Sequence, residues 1–263
     1  MDVLNIFSDY GMTTILALIV FSFFAGFFDS IVGGGGLISI PGLLISLPNT
    51  PLPTIFGTNK IAAVAGTSTS AIQYSQRIKF NFFLLVVIST FAGLAAFLGA
   101  KTVSYIHVNT LKPIILVVLI GIAIYTFFKK DLGLVQTKSL SIKKQFLYGS
   151  IIGLVIGFYD GFFGPGSGSF FVLGFILILG FEFIEASAYA KVINAFTQFS
   201  ALLVFIKQGN YLLEIALLMA VCNISGNIVG TRLAIKKGNG FIRTIFLVIV
   251  SIMIVRYAYD IFI

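Results

Sequence analysis

"GFFDSIVGGGG" (residues 26–36) closes one apolar stretch, and "GFYDGFFGPGS" (residues 157–167) closes another. Each carries a carboxylate, Asp29 or Asp160, followed four residues later by a glycine-rich break that starts at Gly33 or Gly164. A charge is expensive in apolar surroundings, and glycine is a poor helix former. A chain that sets both devices at the end of an apolar run, and does so twice, has a use for them.

The surroundings are those of a membrane protein. The chain is 58% hydrophobic and 10% charged, with a mean hydropathy of +1.07; soluble domains carry about 25% charged residues. Apolar stretches recur at 12–28, 82–100, 113–128, 146–158, 169–181, 211–222 and 244–255. A helix needs ~20 apolar residues to cross the hydrocarbon core. These runs are continuous and do not alternate as β-barrel strands do. The first run is expected to stay in the protein, because Asp2 and Asp9 precede it and no Lys or Arg does. The net charge of +8 lies mostly in short loops, so it bears on topology and not on nucleic acid. One histidine (His107, in a loop), one cysteine (Cys222, a packing residue) and no acidic cluster argue against a metal site. The phosphate loop GxxxxGK[ST] is absent, so ATP is not expected as energy source. No nucleophile–base constellation points to an enzyme, and no cofactor is implied.

The two motifs belong to an internal duplication. Subtracting 29 from 160, or 60 from 191, gives 131, and this one offset aligns the halves without a gap. Gly26, Phe27, Asp29, Gly33 and Gly35 match Gly157, Phe158, Asp160, Gly164 and Gly166; Lys60 matches Lys191 and Gly99 matches Gly230. Lys101 meets Arg232, and Lys112 meets Arg243. The first membrane repeat is read as 1–128, a linker as 129–144 and the second repeat as 145–263. Each half offers five segments: 12–32, 37–56, 57–76, 80–101 and 111–128, then 145–164, 168–183, 187–206, 211–231 and 243–262. The second of each five decides the handedness. If it crosses, the repeats are inverted; if it re-enters, they are parallel.

Basic residues favour cytoplasmic loops. With five crossings per half, one side holds Arg77, Lys79, Lys129, Lys130, Lys138, Lys143, Lys144, Arg232, Lys236, Lys237 and Arg243, and the other only Lys101, Lys112 and Lys207. With four crossings the same residues divide almost evenly. The expected architecture is therefore an all-α integral membrane protein of about ten transmembrane or part-spanning segments. They form two inverted-topology repeats of five, with helices broken at the glycine-rich motifs. The linker is expected in the cytoplasm and both termini outside. Inverted repeats with interrupted helices point to a transporter whose substrate binds between them.

Three sets of residues carry the candidate site. Gly33, Gly34, Gly35 and Gly36 in the first half, and Gly164, Gly166, Ser167 and Gly168 in the second, can turn backbone N–H groups toward one point. The helices restarting after them add positive N-terminal ends, which suit an anion. Close packing through small residues is the competing explanation. Lys191, Asn194 and Gln198 fall on one helical face, and Lys60 with Thr67 takes the same face in the first half, Asn59 being close by. A cation beside amide and hydroxyl donors suits an oxyanion, although a lysine near a helix end also snorkels to the interface. Asp29 and Asp160 either carry a coupling proton or brace the glycine breaks, with the Tyr159 hydroxyl beside Asp160 as a possible relay. Glu182, Glu185 and Glu214 read as surface or entrance charges, and Arg256 and Asp260 as an i, i+4 pair.

At these residues the chain resembles the TauE/SafE family of sulfite exporters and toluenesulfonate-uptake permeases. The resemblance rests on "AGFFDSIVGGGGLISIPGLL" (25–44), "GFYDGFFGPGSGSFFVLGF" (157–175) and "ASAYAKVINAFTQFSALLVF" (186–205), and it spans both repeats. It implies a multi-pass plasma-membrane permease for a small sulfur-containing anion such as sulfite or an organosulfonate. Its partners are then that anion and the lipid bilayer. An anion channel and a cation or metal permease using Asp29 and Asp160 are the alternatives.

Overall fold

The structure is a computed structural model that describes residues 10–103, 120, 133–136, 138 and 140–262. His107, Lys112, most of segment 111–128 and much of the 129–144 linker lie outside the described residues, as do the side chains of Arg256 and Asp260. All the regular elements among the described residues are helices: α1 (Met12–Val32), α2 (Gly36–Ser46), α3 (Leu52–Ser75), α4 (Phe82–Thr102), α5 (Ile142–Phe162), α6 (Ser167–Gly174), α7 (Phe183–Lys207) and α8 (Leu213–Phe262). A π-helical turn, Phe175–Leu179, prolongs α6, and α8 breaks at Gly238, whose φ is 73°.

Among the described residues, five helices are long and apolar enough to cross a membrane: α1, α4, α5, α7 and α8 over Leu213–Ile252. At 24 residues, α3 has the length, about 36 Å at 1.5 Å per residue. It fails on polarity, because Asn59, Lys60, Thr67 and Ser70 line its buried face. The segments expected at 37–56 and 168–183 each contain a short helix. α2 has 11 residues and rises about 16 Å, half of the hydrocarbon core. Proline at position 41 removes one of its hydrogen-bond donors.

The glycine breaks end α1 and α5 by geometry. Gly33 has φ 84° and donates its N–H to the Asp29 carbonyl at 2.7 Å. Gly164 and Gly166 have φ 94° and 81°. These are left-handed conformations that glycine adopts without a side-chain penalty.

Backbone contacts fix how the long helices run. Along α1 and α8, Asn223 donates to the Ser22 carbonyl, Gly226 lies on Phe23 and Gly230 on Phe27. Along α4 and α5, Gly153 lies on Ile88, Gly157 on Ala92 and Gly161 on Ala96. Each pair is parallel, and the offset of 131 maps one onto the other: Gly26 meets the Asn223 carbonyl as Gly157 meets that of Ala92. Gly99 meets the Phe158 carbonyl as Gly230 meets that of Phe27. Gly66 on Asn223 and the Ser70–Asn227 hydrogen bond set α3 parallel to α8. Asn81 with Tyr189, and Gly93 with Ser200, set α4 parallel to α7. α7 runs against α3, for Phe205 meets Gly57 while Lys191 and Thr67 meet at Asp29. Thus α1, α3 and the start of α8 point one way, and α4, α5 and α7 the other. The ends of α3 and of 213–237, with the starts of α4 and α5, gather Arg77, Lys79, Lys143, Lys144, Arg232, Lys236 and Lys237 at one end of the bundle.

A bundle in lipid is held by close packing and hydrogen bonds, because lipid tails are as apolar as leucine. Phe83, Val155 and Val221 accordingly point outward, while Asn227, Thr231 and Ser70 form a buried chain between α3 and α8. A Cβ on Gly157 would lie 2.4 Å from the Ala92 carbonyl oxygen, whereas one on Gly240 would meet nothing within 4 Å. Gly157→Ala is expected to lower stability by about 1–3 kcal/mol through backbone displacement. Gly240→Ala should leave it unchanged or slightly raised. Thermal unfolding of both variants in detergent checks the contrast; equal melting temperatures would show that the α4–α5 seam is not close-packed.

Candidate functional site

The two broken helices meet end to side at the centre of the bundle. Ser169 donates its N–H to the Gly33 carbonyl at 3.2 Å and its hydroxyl to the Val32 carbonyl at 2.8 Å. Ser187, on α7, donates to the Ile31 carbonyl at 3.1 Å. The last carbonyls of α1, which lack partners in their own helix, are thereby satisfied by the other half. Gly33 packs on the Gly168 backbone, and Gly36 packs on Pro165. α2 and α6 both start at this crossing.

Each aspartate at a break pairs with the lysine of the opposite half. Lys191 donates to Asp29 Oδ2 at 2.9 Å, and Lys60 to Asp160 Oδ1 at 3.0 Å. The offset of 131 maps one bond onto the other. Lys191 is fully buried, and Lys60 and both carboxylates nearly so. The remaining partners differ between the copies. Asp29 Oδ2 also accepts from Thr67 (3.0 Å), and its Oδ1 accepts from the Gly35 N–H (3.3 Å). Both its oxygens are engaged. Asp160 takes its contacts on one oxygen: Oδ1 accepts from Lys60 and, at 2.6 Å, from Ser167. Lys60 also donates to the Asp160 main-chain carbonyl, at 2.9 Å. Oδ2 of Asp160 is buried without a hydrogen-bond partner among the described residues, and so is Oε1 of Gln198. Tyr159 directs its hydroxyl to the Pro165 carbonyl, at 2.6 Å, and so braces the second break.

Around these pairs lies a narrow cleft with a cavity volume of about 30 Å3. Asp29, Asp160, Lys60, Asn59, Gly33, Gly35, Gly36, Gly164, Gly166, Ser167, Asn194 and Gln198 all line it. Four other residues with expected roles stand behind its wall. Lys191 is covered by Asp29, Thr67 bonds that carboxylate, Gly168 is pressed on Gly33, and Gly34 packs on Ile249. The lining also contains Ser39, Ile40, Phe56, Ala63, Phe163 and Asn223, which sequence reasoning did not select. Asn223 carried a signal, as an amide inside the apolar run 211–222 and its continuation; the apolar liners carried none. Phe56 and Asn59 lie near the start of α3, at the side away from the basic end. The Ile31–Ser187 and Val32–Ser169 contacts close the side toward it.

Chemically this is a neutral charge set, two ammonium groups and two carboxylates. Two helix N-termini at its edge each contribute roughly half a positive charge. The amides of Asn59, Asn194 and Gln198 add polar groups at the cleft wall.

Known proteins resemble this chain over most of its length. The family model for the sulfite exporter TauE/SafE matches residues 18–257. A probable membrane transporter protein, ORF9, of a Sinorhizobium species is 38% identical over 245 residues, covering 93% of this chain and 92% of its own. The probable membrane transporter protein YfcA of Escherichia coli K12 is 33% identical over 242 residues, 90% of this chain and 86% of its own. A probable membrane transporter protein of Haemophilus influenzae is 31% identical over 252 residues, 96% and 97% of the two chains. No solved structure matches the chain.

Breaking a buried ion pair at one partner leaves an uncompensated charge, at a cost of about 3–5 kcal/mol. Lys191→Met should therefore destabilise the protein by about that amount, and Lys191→Met with Asp29→Asn should recover most of it. Thermal unfolding of the single and double variants measures the difference. A double variant no more stable than Lys191→Met would mean that the two groups do not compensate each other.

Proposed function

The chain belongs to the sulfite exporter TauE/SafE family, and from that premise we propose that it is a secondary transporter. In this reading it moves a small sulfur-containing anion, such as sulfite or an organosulfonate, across the plasma membrane by alternating access. The observation that carries the proposal is the pair of reciprocal Lys–Asp bonds set between two helix N-termini. The halves are inverted repeats in this reading. Support comes from α1 and α5, which occupy equivalent places in the duplication and run in opposite directions. The first repeat covers 1–128 and the second 145–263, and the 129–144 linker is cytoplasmic, on the basic side. The termini are outside.

The anion enters at the amide side of the cleft, near Asn59, Asn194 and Gln198, where the helix ends favour negative charge. At rest each lysine is neutralised by its aspartate, so a bare anion finds little net attraction. Protonation of Asp160 changes this. Its unpartnered Oδ2 is the oxygen able to take a proton without displacing a donor. Lys60 is then released from a carboxylate and can form a charge-assisted bond to the substrate. Proton and anion move together, and the site carries the same net charge with both bound as with neither. Asp29, with every oxygen engaged, holds the first break in shape. The cleft is closed toward the basic end by the Ile31–Ser187 and Val32–Ser169 contacts, so the described conformation corresponds to the outward-open side of the cycle. Cation transport is less well supported, because both carboxylates already hold lysines.

In proteoliposomes, wild-type protein should accumulate sulfite or a small organosulfonate when a proton gradient is imposed. Asp160→Asn should lose accumulation at least 10-fold while retaining counterflow, since exchange needs no net proton movement; full gradient-driven uptake by this variant would remove the coupling role. If no anion of a sulfite, sulfate and sulfonate panel exchanges through wild-type protein, the anion reading itself falls. A reporter inserted next to Lys138 should be cytoplasmic and one at the C-terminus external. Both on one side would contradict the inverted arrangement.

A further inference from the structure

A second cleft lies at the basic end, between α3 and α8, and the transport reading does not use it. Above it the two helices are seamed together by Gly66 on Asn223 and by the Ser70, Asn227 and Thr231 hydrogen bonds. Beyond that seam the helices part around a cleft of about 600 Å3. Its wall has two characters. Arg77, Arg232 and Lys236 supply three cations, all exposed, with no carboxylate partner among the described residues. Ile72 and Ile235 supply apolar surface, and Ile72 is 60% exposed. Between them stands Gln73. Its Nε2 is buried and has no hydrogen-bond acceptor among the described residues.

Loop cations at a membrane surface are ordinary. This arrangement differs in its buried donor. A buried amide N–H without an acceptor is destabilising unless something supplies one. A donor facing a cleft with three unpaired cations calls for an oxyanion with several acceptors. The apolar walls, at the end of two membrane-embedded helices, call for an acyl chain attached to it. We propose that this cleft binds a phosphate group, that of an anionic phospholipid. Arg77, Arg232 and Lys236 surround the phosphate, Gln73 donates to it, and Ile72 and Ile235 receive the start of the acyl chains. Bound there, the lipid links the ends of α3 and α8, one helix carrying Lys60 and Thr67 and the other packed on α1. It would stabilise the bundle without touching the central cleft.

The test uses full-length protein in a zwitterionic detergent, with thermal unfolding as the readout. Phosphatidylglycerol should raise the melting temperature by roughly 5 °C at saturation, and phosphatidylcholine should raise it far less. Replacing Arg77, Arg232 and Lys236 together by Gln should remove most of the phosphatidylglycerol increment; Gln73→Leu should reduce it while leaving the lipid-free melting temperature equal or higher. Equal effects of the two lipids, or an undiminished increment in the triple variant, would overturn the proposal. Stabilisation by inorganic phosphate to the same extent as by phosphatidylglycerol would overturn the lipid source and leave a free-phosphate site.

Discussion

The reciprocal bonds Lys60–Asp160 and Lys191–Asp29 are the constraint on which the rest of the molecule is arranged. Four charges at bundle depth cannot stay unpaired, because desolvation costs each several kcal/mol. Pairing within a half is not what the chain uses. Each lysine reaches the aspartate of the other half, so neither half is electrostatically complete alone. The duplication is thereby held together by its most expensive residues. The crossing of the broken helices follows, since Asp29 and Asp160 reach across only if the ends of α1 and α5 come to the same place. Small residues follow in turn. Gly26, Gly99, Gly157, Gly161 and Gly230 let backbones approach to carbonyl contact, which draws α1 onto α8 and α4 onto α5.

Glycine therefore has two separate functions in this chain. At Gly33, Gly164 and Gly166 it supplies left-handed backbone and ends a helix. Along the seams it supplies the absence of a side chain. Close packing and a ligand site, which compete as explanations of a glycine run, are divided between neighbouring residues. Gly35 gives its N–H to Asp29 and lines the cleft, while Gly34 beside it only packs on Ile249.

Much of this was legible in the sequence because charged and glycine residues are rare in apolar runs and recur at one offset. The ends of α1 and α5, the membrane class and most of the cleft lining follow from those positions. The partnership of the charges was not legible. Lys191, Asn194 and Gln198 share a helical face, which suggests that all three meet a ligand. Helical periodicity says nothing of what stands opposite, and opposite Lys191 stands Asp29. The length of α6 was also hidden. The turn around 180 is buried between Leu179 and Phe181 and so does not interrupt the apolar run, whereas Pro48, Asn49 and Pro51 at the end of α2 are exposed turn residues that marked its end. At α3 the polar residues have a further effect: the helix has spanning length, but Asn59, Lys60, Thr67 and Ser70 keep it out of the apolar set.

The departure from symmetry carries as much meaning as the symmetry. A perfectly two-fold site would give both aspartates the same donors. Here Lys191 and Thr67 engage one oxygen of Asp29 and the Gly35 N–H the other, while at Asp160 the Ser167 hydroxyl and Lys60 share one oxygen and the other has no donor among the described residues. Asp160 thus keeps one oxygen without a donor among the described residues, and Asp29 has a donor on each. In the proposed transport cycle, a duplicated scaffold would supply two conformations related by exchange of its halves. Coupling in that cycle would need one aspartate to answer and its twin to stay fixed. Divergence at Thr67, Ser167 and the two glycine loops is the difference between the copies on which such a separation would rest.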